Sequence, residues 1–430
     1  MLLHNKSRQI YYILLCILAL VIPTYFFLAP ILIILLSVSW LLQLNAKQLV
    51  YNIKKNKALW ALVIFYFLHI VGYFYSIDKR QGLFDLQQKL SFIVLPLVIG
   101  CGPRIGYREL ENIFIYYVFG TTFAALECFT RAIIIWKHSG ITSQFFYHNL
   151  VHCFSANAIY FSLYTLLSLS MLLLYPWSSK SVFKKKALYY AVIFIQILFY
   201  ILLSSKTFLI LLVVLIAPFY FKKILKQKSI LKEQRFALVS LVIAIVFISS
   251  TRNPIRSRYE QIFQNHKMEY LLPDINNKDP KFNNLTLRLF IWRIAIENIK
   301  ENNLWIAGCG IGDVKLYQRK KITSYDYKFN NDRSEPGVWE FNMHNQYLQT
   351  LFMLGVIGLI SLLIIVLYPF YYVKDLSCMN MFLIFNISFL LLMLQESSFQ
   401  TQAGIIYYVF FYCIFYNIWN SNVKNLSIGT

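Results

Sequence analysis

The chain has 430 residues, of which 58% are hydrophobic and 14% charged, against roughly 45–50% and 25% in soluble domains. With a mean hydropathy of +0.55, these proportions exclude an ordinary soluble enzyme. Runs such as Ile10 to Phe27, Ala187 to Leu203 and Phe236 to Ile248 have too little polar surface for water, so the bilayer must be their solvent. The net charge of +22 suggests nucleic acid. The basic residues, however, cluster in short loops between apolar runs, as the positive-inside rule produces at a cytoplasmic membrane surface, and no nucleic-acid partner is expected.

The first apolar run is not read as a cleavable signal, because Ile31 to Leu44 follows it without a small-residue cleavage site. The runs predict twelve membrane spans in chain order: 9–27, 29–44, 58–75, 90–101 (extended toward 86), 112–136 and 153–175 in the first part. The remaining six are 187–203, 206–221, 236–250, 345–367, 379–395 and 404–419. Orientation follows from the loops Asn45 to Lys57, Pro176 to Lys186 and Lys222 to Arg235, dense in basic residues such as Lys54, Lys55, Lys184, Lys185, Lys222 and Lys223. All three fall on one side if the amino terminus is inside, while the far-side loops around Asp78, His148 and Ser205 are poorer in clustered positive charge. The expected fold class is an all-α polytopic membrane protein of about 12 transmembrane helices. Both termini are cytoplasmic, and a large, partly helical outer loop separates spans nine and ten. Its three regions are 1–250, 251–343 and 344–430. The seven cysteines sit mostly inside apolar runs (Cys16, Cys128, Cys153, Cys413), with no metal spacing and no disulfide framework.

The outer segment begins with a polar stretch rich in Asn, Lys and Asp, Arg252 to Asn284, which reads as irregular structure. From Thr286 to Lys300 the period changes. Trp292, Ala295, Ile296 and Ile299 form an apolar stripe, and Arg293, Glu297 and Lys300 lie opposite. This predicts an amphipathic helix along the outer membrane surface. No repeat divides the chain into two similar halves.

Arg288 stands four residues before Trp292 and so shares the apolar stripe. Two readings are open for it: a snorkelling cation reaching headgroups, or a guanidinium fork aimed at an anionic ligand between helix and bundle. Lys206 stands in Leu203-Ser-Ser-Lys-Thr-Phe208, between apolar runs too close for a real loop. It either snorkels or forms, with Ser204, Ser205 and Thr207, a polar pocket wall at membrane depth. His344 opens span ten in Met343-His-Asn-Gln-Tyr-Leu-Gln-Thr350, with Asn345, Tyr347 and Gln349 nearby. A histidine there is an interfacial or capping residue, or a proton acceptor at neutral pH.

Gly308-Cys-Gly-Ile-Gly-Asp313 superficially suggests a phosphate loop, but no strand precedes it and no clear helix signal follows. A tight turn with close backbone approach is the better reading. His148 and His152, at i and i+4, lack an obvious third metal ligand, and Glu127 and Arg131 are expected to neutralise each other. The outer loops hold no Asp-X-Asp pair to position a divalent ion on a sugar diphosphate.

Four stretches, in order, resemble the O-antigen ligase and O-antigen polymerase superfamily of bacterial membrane glycosyltransferases. They are Ser204-Ser-Lys-Thr207, Arg288-Leu-Phe-Ile-Trp-Arg-Ile-Ala295, Gly308-Cys-Gly-Ile-Gly312, and His344 to Leu359 with its histidine–asparagine pair and with Gly355 and Gly358. The resemblance covers roughly 190–370; the first half is similar mainly in span count and in Leu90 to Gly100. It implies a metal-independent, cofactor-free enzyme that takes a glycan from undecaprenyl diphosphate at the periplasmic face of the inner membrane. The acceptor would be a lipid A–core sugar in a ligase, as in lipopolysaccharide biosynthesis, or another carrier-linked repeat unit in a polysaccharide polymerase. By the same resemblance His344 acts at the reacting hydroxyl and Arg288 binds the diphosphate. Lys206, Ser205, Asn345 and Tyr347 are further candidates for holding diphosphate or acceptor. The family usually has arginine where this chain has Lys206, which keeps the charge and loses the fork.

Ligase is the first expectation and repeat-unit polymerase the second, followed by a protein O-oligosaccharyltransferase. A lipid or sugar transporter is the rival from another class. Transporters favour internal repeats and midplane binding residues, whereas the polar candidates here cluster at one face.

Overall fold

The computed structural model describes residues 2–154, 157–203, 211, 284–324, 340–372 and 377–426, and among them the regular elements are all helices. The first half contains α1 (Leu2–Val21), α2 (Ala29–Leu41), α3 (Ala46–Lys55), α4 (Lys57–Tyr75), α5 (Lys79–Lys89), α6 (Ser91–Leu95) and α7 (Tyr107–Ser139). The short α8 (Tyr147–Val151) leads to α9 (Ala158–Leu174) and α10 (Lys186–Leu202). The second half contains α11 (Asn284–Glu301), α12 (Val314–Ser324), α13 (Gln346–Tyr372), α14 (Ser377–Met393) and α15 (Gln402–Leu426).

Among the described residues, Lys79–Gly100, Tyr107–Ser139 and Gln346–Phe370 are long and apolar enough to cross a membrane, as is the bent pair Tyr147–Phe154 and Ala158–Leu174 if it is one span. Phe26–Leu41, Leu59–Tyr75, Lys186–Leu202, Asn380–Met393 and Gln402–Ile418 are shorter apolar helices. The expected spans 206–221 (apart from Leu211) and 236–250, the expected irregular stretch from Arg252 as far as residue 283, and Ser205 and Lys206 lie outside the described residues. Two elements depart from expectation. The basic loop after Leu44 holds α3, because Leu49, Asn52 and Ile53, at i, i+3 and i+4, give one helical face that turns inward while Val50 and Tyr51 stay exposed. A helix, α12, does follow the glycine-rich stretch and begins directly after Asp313.

Local chemistry explains the helix ends. Asp78 caps α5 by accepting from the Gln81 N–H at 2.9 Å, and Gly140, with φ +69°, closes α7 in the left-handed conformation. Side-chain hydrogen bonds then tie distant loops into two separate ends of the bundle. At one end the Tyr12 hydroxyl donates to Arg104 O, Asn52 to Cys101 O, and Asn417 to Ile99 O and Pro103 O. At the other, Asp313 accepts from the Ile77 and Asp78 N–H groups, and Asn157 donates to Glu396.

The second end is built on a crossing of backbones. Cys309 and Gly310 donate to Phe352 O and Met353 O at 2.9 and 3.0 Å, and Val356 donates to Trp305 O at 2.7 Å. These bonds interrupt α13 at Gly355, where φ is +66° and ψ −164°. A Cβ at Gly355 would lie 2.0 Å from Ile306 O, and one at Gly308 would lie 2.4 Å from the Met353 carbonyl. Gly308-Cys-Gly-Ile-Gly312 is therefore a clasp of close backbone approach, the turn expected of it. Above it α11 packs its Ile291, Ala295 and Ile299 against Met343, Phe352 and Met353. The buried face is rotated from the expected stripe: Ile296 is exposed and Ile291 is buried, because α12 and α13 supply a protein surface along that side.

The crossing gives a direct comparison. Gly355→Ala places a methyl on a carbonyl oxygen and is expected to abolish accumulation of folded protein. Gly140→Ala, with nothing within 4 Å, should cost only about 1–2 kcal/mol of left-handed strain. Thermal unfolding and gel filtration in detergent measure both, and equal effects would show that the crossing is not tight.

Candidate active site

Arg288 lies on the second turn of α11, and its Nη2 donates to Glu396 Oε1 at 3.2 Å. Glu396 stays on the final turn after α14 through its N–H bond to Leu392 O at 2.9 Å. His344, just ahead of α13, places Nδ1 3.2 Å from Glu396 Oε2. Asn157, which caps α9, donates from Nδ2 to Glu396 Oε1 at 3.3 Å. One carboxylate thus gathers a guanidinium, an imidazole and a carboxamide from three separate elements, itself standing on a fourth. Its side chain is 8% exposed, whereas Arg288 and His344 are 26% and 25% exposed and open to a ligand.

The loop that carries Glu396 is fastened to the head of α13. Asn345 N–H donates to Ser397 Oγ at 3.2 Å, and Phe399 N–H donates to Gln346 Oε1 at 2.7 Å. Lys89, fully buried and paired with Asp85 at 2.5 Å, donates to Gln400 Oε1 at 3.3 Å. His344 is held with φ +46°, a strained conformation for a non-glycine residue, and its N–H donates to Asn342 Oδ1 at 2.9 Å. Trp292 Nε1 donates to Met343 O at 2.7 Å, which links the helix bearing Arg288 to the residue before His344.

This geometry has a chemical consequence. A carboxylate only accepts hydrogen bonds, so Glu396 requires the proton of neutral His344 on Nδ1 and leaves the Nε2 lone pair free as a base. Arg288 spends one of its five N–H donors on Glu396, and the rest of the fork remains for an anion. A cavity of about 350 Å³ opens beside Glu396, with Asn157, Asn342 and Thr401 on its polar side and Phe26, Phe154 and Phe161 on its aromatic side.

The other candidates have different surroundings. Asn345 caps α13, its Oδ1 accepting from Leu348 N–H at 3.0 Å, and the Tyr347 hydroxyl donates to Leu390 O at 3.0 Å. His148 Nδ1 accepts from Ala158 N–H at 3.3 Å, and Glu127 pairs with Arg131 at 3.3 Å. Burial pushes the Cys309 thiol well above its ordinary range, with the Asp313 carboxylate adding to the shift, so the glycine clasp offers no nucleophile. Among the described residues no three His, Cys, Asp or Glu side chains converge as metal ligands.

Residues 191–363 match the family model described as O-antigen ligase. The chain carries an O-antigen ligase domain. The match runs from within α10 into α13 and includes Lys206, Arg288, the glycine clasp and His344, so the resemblance read from the sequence holds. No curated protein matches the chain. The matched segment and the apolar helices together support a membrane protein with a ligase- or polymerase-like function, and the family implies a lipid-linked glycan and an acceptor as substrates in general.

Glu396 and Asn157 lie beyond the matched segment, and sequence reading does not single them out. One signal was available: Glu396 is the only acidic residue after Asp375, within a strongly apolar stretch, and a lone charge there needs a partner. Glu396→Gln keeps the size of the side chain and removes the charge that fixes the His344 tautomer. Single-turnover glycan transfer should fall by about 10²–10⁴ at matched membrane levels, with gel-filtration behaviour unchanged. Undiminished transfer would mean that the carboxylate does not set the imidazole.

Proposed function

We propose that this protein is an O-antigen ligase, a glycosyltransferase that moves a glycan from undecaprenyl diphosphate to a lipid A–core sugar at the periplasmic face of the inner membrane. The observation that carries this reading is the Arg288–Glu396–His344 constellation at 3.2 Å on each side in a chain with an O-antigen ligase domain. Orientation is proposed from charge: the basic loops and the termini are cytoplasmic, and the end bearing the constellation faces outward.

In the proposed reaction His344 Nε2 takes the proton of the acceptor hydroxyl as its oxygen attacks the anomeric carbon. The imidazolium that forms is stabilised by Glu396. The bond from the anomeric carbon to the diphosphate breaks, and its electron pair leaves with the diphosphate. Arg288, and Lys206 by family resemblance, neutralise that developing charge. Direct displacement inverts the anomeric centre and forms no glycosyl-enzyme. With two cations serving the leaving group, the reaction is proposed to need no metal.

Repeat-unit polymerase is the second reading, because both reactions use the same donor and the same charge stabilisation. Acceptor analysis in a deletion strain separates them. Loss of long glycan on lipid A, with polymer retained on the carrier, is expected; single repeat units on lipid A would establish polymerase instead.

Site roles are tested by binding and turnover in nanodiscs. His344→Ala should lower kcat by about 10²–10⁴ with donor affinity nearly intact. Arg288→Ala should weaken both, and Arg288→Lys should also be impaired, since an ammonium lacks the fork. Loss of donor binding in His344→Ala, with binding unchanged in Arg288→Ala, would reverse the assignment.

Transfer should persist in excess EDTA. Lys206→Arg should remain active while Lys206→Ala loses most activity. An EDTA block reversed by magnesium would overturn the cation mechanism, and a fully active Lys206→Ala would reduce Lys206 to a snorkelling residue.

A further inference from the structure

Cys128 and Cys153 are 25 residues apart in sequence, with no spacing motif between them, yet their Sγ atoms lie 3.3 Å apart. A disulfide has an S–S distance of about 2.05 Å, so closing the pair requires a movement of little more than 1 Å. Cys128 is fully buried on α7, and Cys153 is half-buried in the turn His152–Phe154 that folds back onto that helix. The turn belongs to the end of the bundle that holds the candidate site: Phe154 lines the cavity, and Asn157 donates to Glu396. The 33 residues of α7 exceed the roughly 20 needed to cross a bilayer. A crossing of that length that starts after Glu111 ends near Arg131, within a turn of Cys128, close to the same boundary.

We infer that Cys128 and Cys153 form a disulfide in the working protein. The inference rests on the outward orientation proposed above, because thiols at that face meet an oxidising compartment. The more accessible Cys153 attacks the disulfide of a thiol–disulfide exchange protein as thiolate, giving a mixed disulfide. Cys128 Sγ then attacks Cys153 Sγ and expels the donor. Two electrons pass to the donor disulfide, and the two thiol protons reach its sulfurs through solvent. The bond pins the aromatic wall formed by Phe154 to α7, next to the residue that caps α9 and holds Glu396.

The test uses the full chain in native membranes, denatured and alkylated with N-ethylmaleimide without reductant, then reduced and labelled with a second maleimide. Mass spectrometry should find the first label on Cys16, Cys101, Cys309, Cys378 and Cys413, and the second on Cys128 and Cys153. First-label modification of both Cys128 and Cys153 would overturn the inference. A parallel arm treats spheroplasts of a Cys128→Ser strain with a membrane-impermeant maleimide. If both wild-type thiols are free while Cys153 in this variant is reached from outside, the disulfide is wrong and the orientation stands. If Cys153 is reached only after permeabilisation, the orientation has failed and takes the inference with it. The wild-type arm needs no variant, so poor accumulation of Cys128→Ser leaves the inference open to refutation.

Discussion

A carboxylate held largely out of water must be paired, since an unpaired buried charge costs several kcal/mol (about 3–5 when one partner of a buried pair is removed). Glu396 is in that position, and much of this end of the bundle is arranged around its requirement. Its two oxygens take Arg288 from α11, His344 from the head of α13 and Asn157 from the start of α9. These residues come from opposite halves of the chain, so the helices must be assembled before the site exists. The same pairing fixes the chemistry: the imidazole proton is sent to Nδ1, and the guanidinium is anchored at one corner with its remaining donors free.

The pairing depends on a scaffold that places α11 close above α13, and the glycine crossing provides it. Backbone bonds from Cys309, Gly310 and Val356 hold the two segments at a distance that side chains would prevent. Asp313, at the end of the clasp, accepts from the Ile77 and Asp78 N–H groups and so locks it to the start of α5. Trp292 closes the arrangement through Met343 O. A glycine-rich sequence that looks like a nucleotide loop thus serves here as a joint between helices, with its backbone donors used on protein carbonyls and, at Gly312, on the Ser76 hydroxyl.

A second buried charge supports the first from below. Lys89 is balanced by Asp85 and reaches Gln400 in the loop that carries Glu396. Phe399, between them, packs edge-on against Phe92 at 4.9 Å and beside Phe389 at 5.6 Å. Polar ties on one side of the loop and aromatic packing on the other leave it little freedom, as the role proposed for Glu396 requires.

The sequence by itself determined that the chain is helical and rich in apolar runs suited to a membrane, and it drew attention to Arg288 and His344. Hydropathy and charge act locally along the chain, and a lone cation on an apolar helix face is conspicuous without any knowledge of its neighbours. Only the tertiary structure decided the partners. Glu396 has no motif around it, the face that α11 buries depends on where α12 and α13 lie, and Cys128 and Cys153 meet because a short turn folds back on a long helix. Each of these is a contact between residues far apart in sequence. Such contacts are set by the packing of whole helices, which no local pattern encodes.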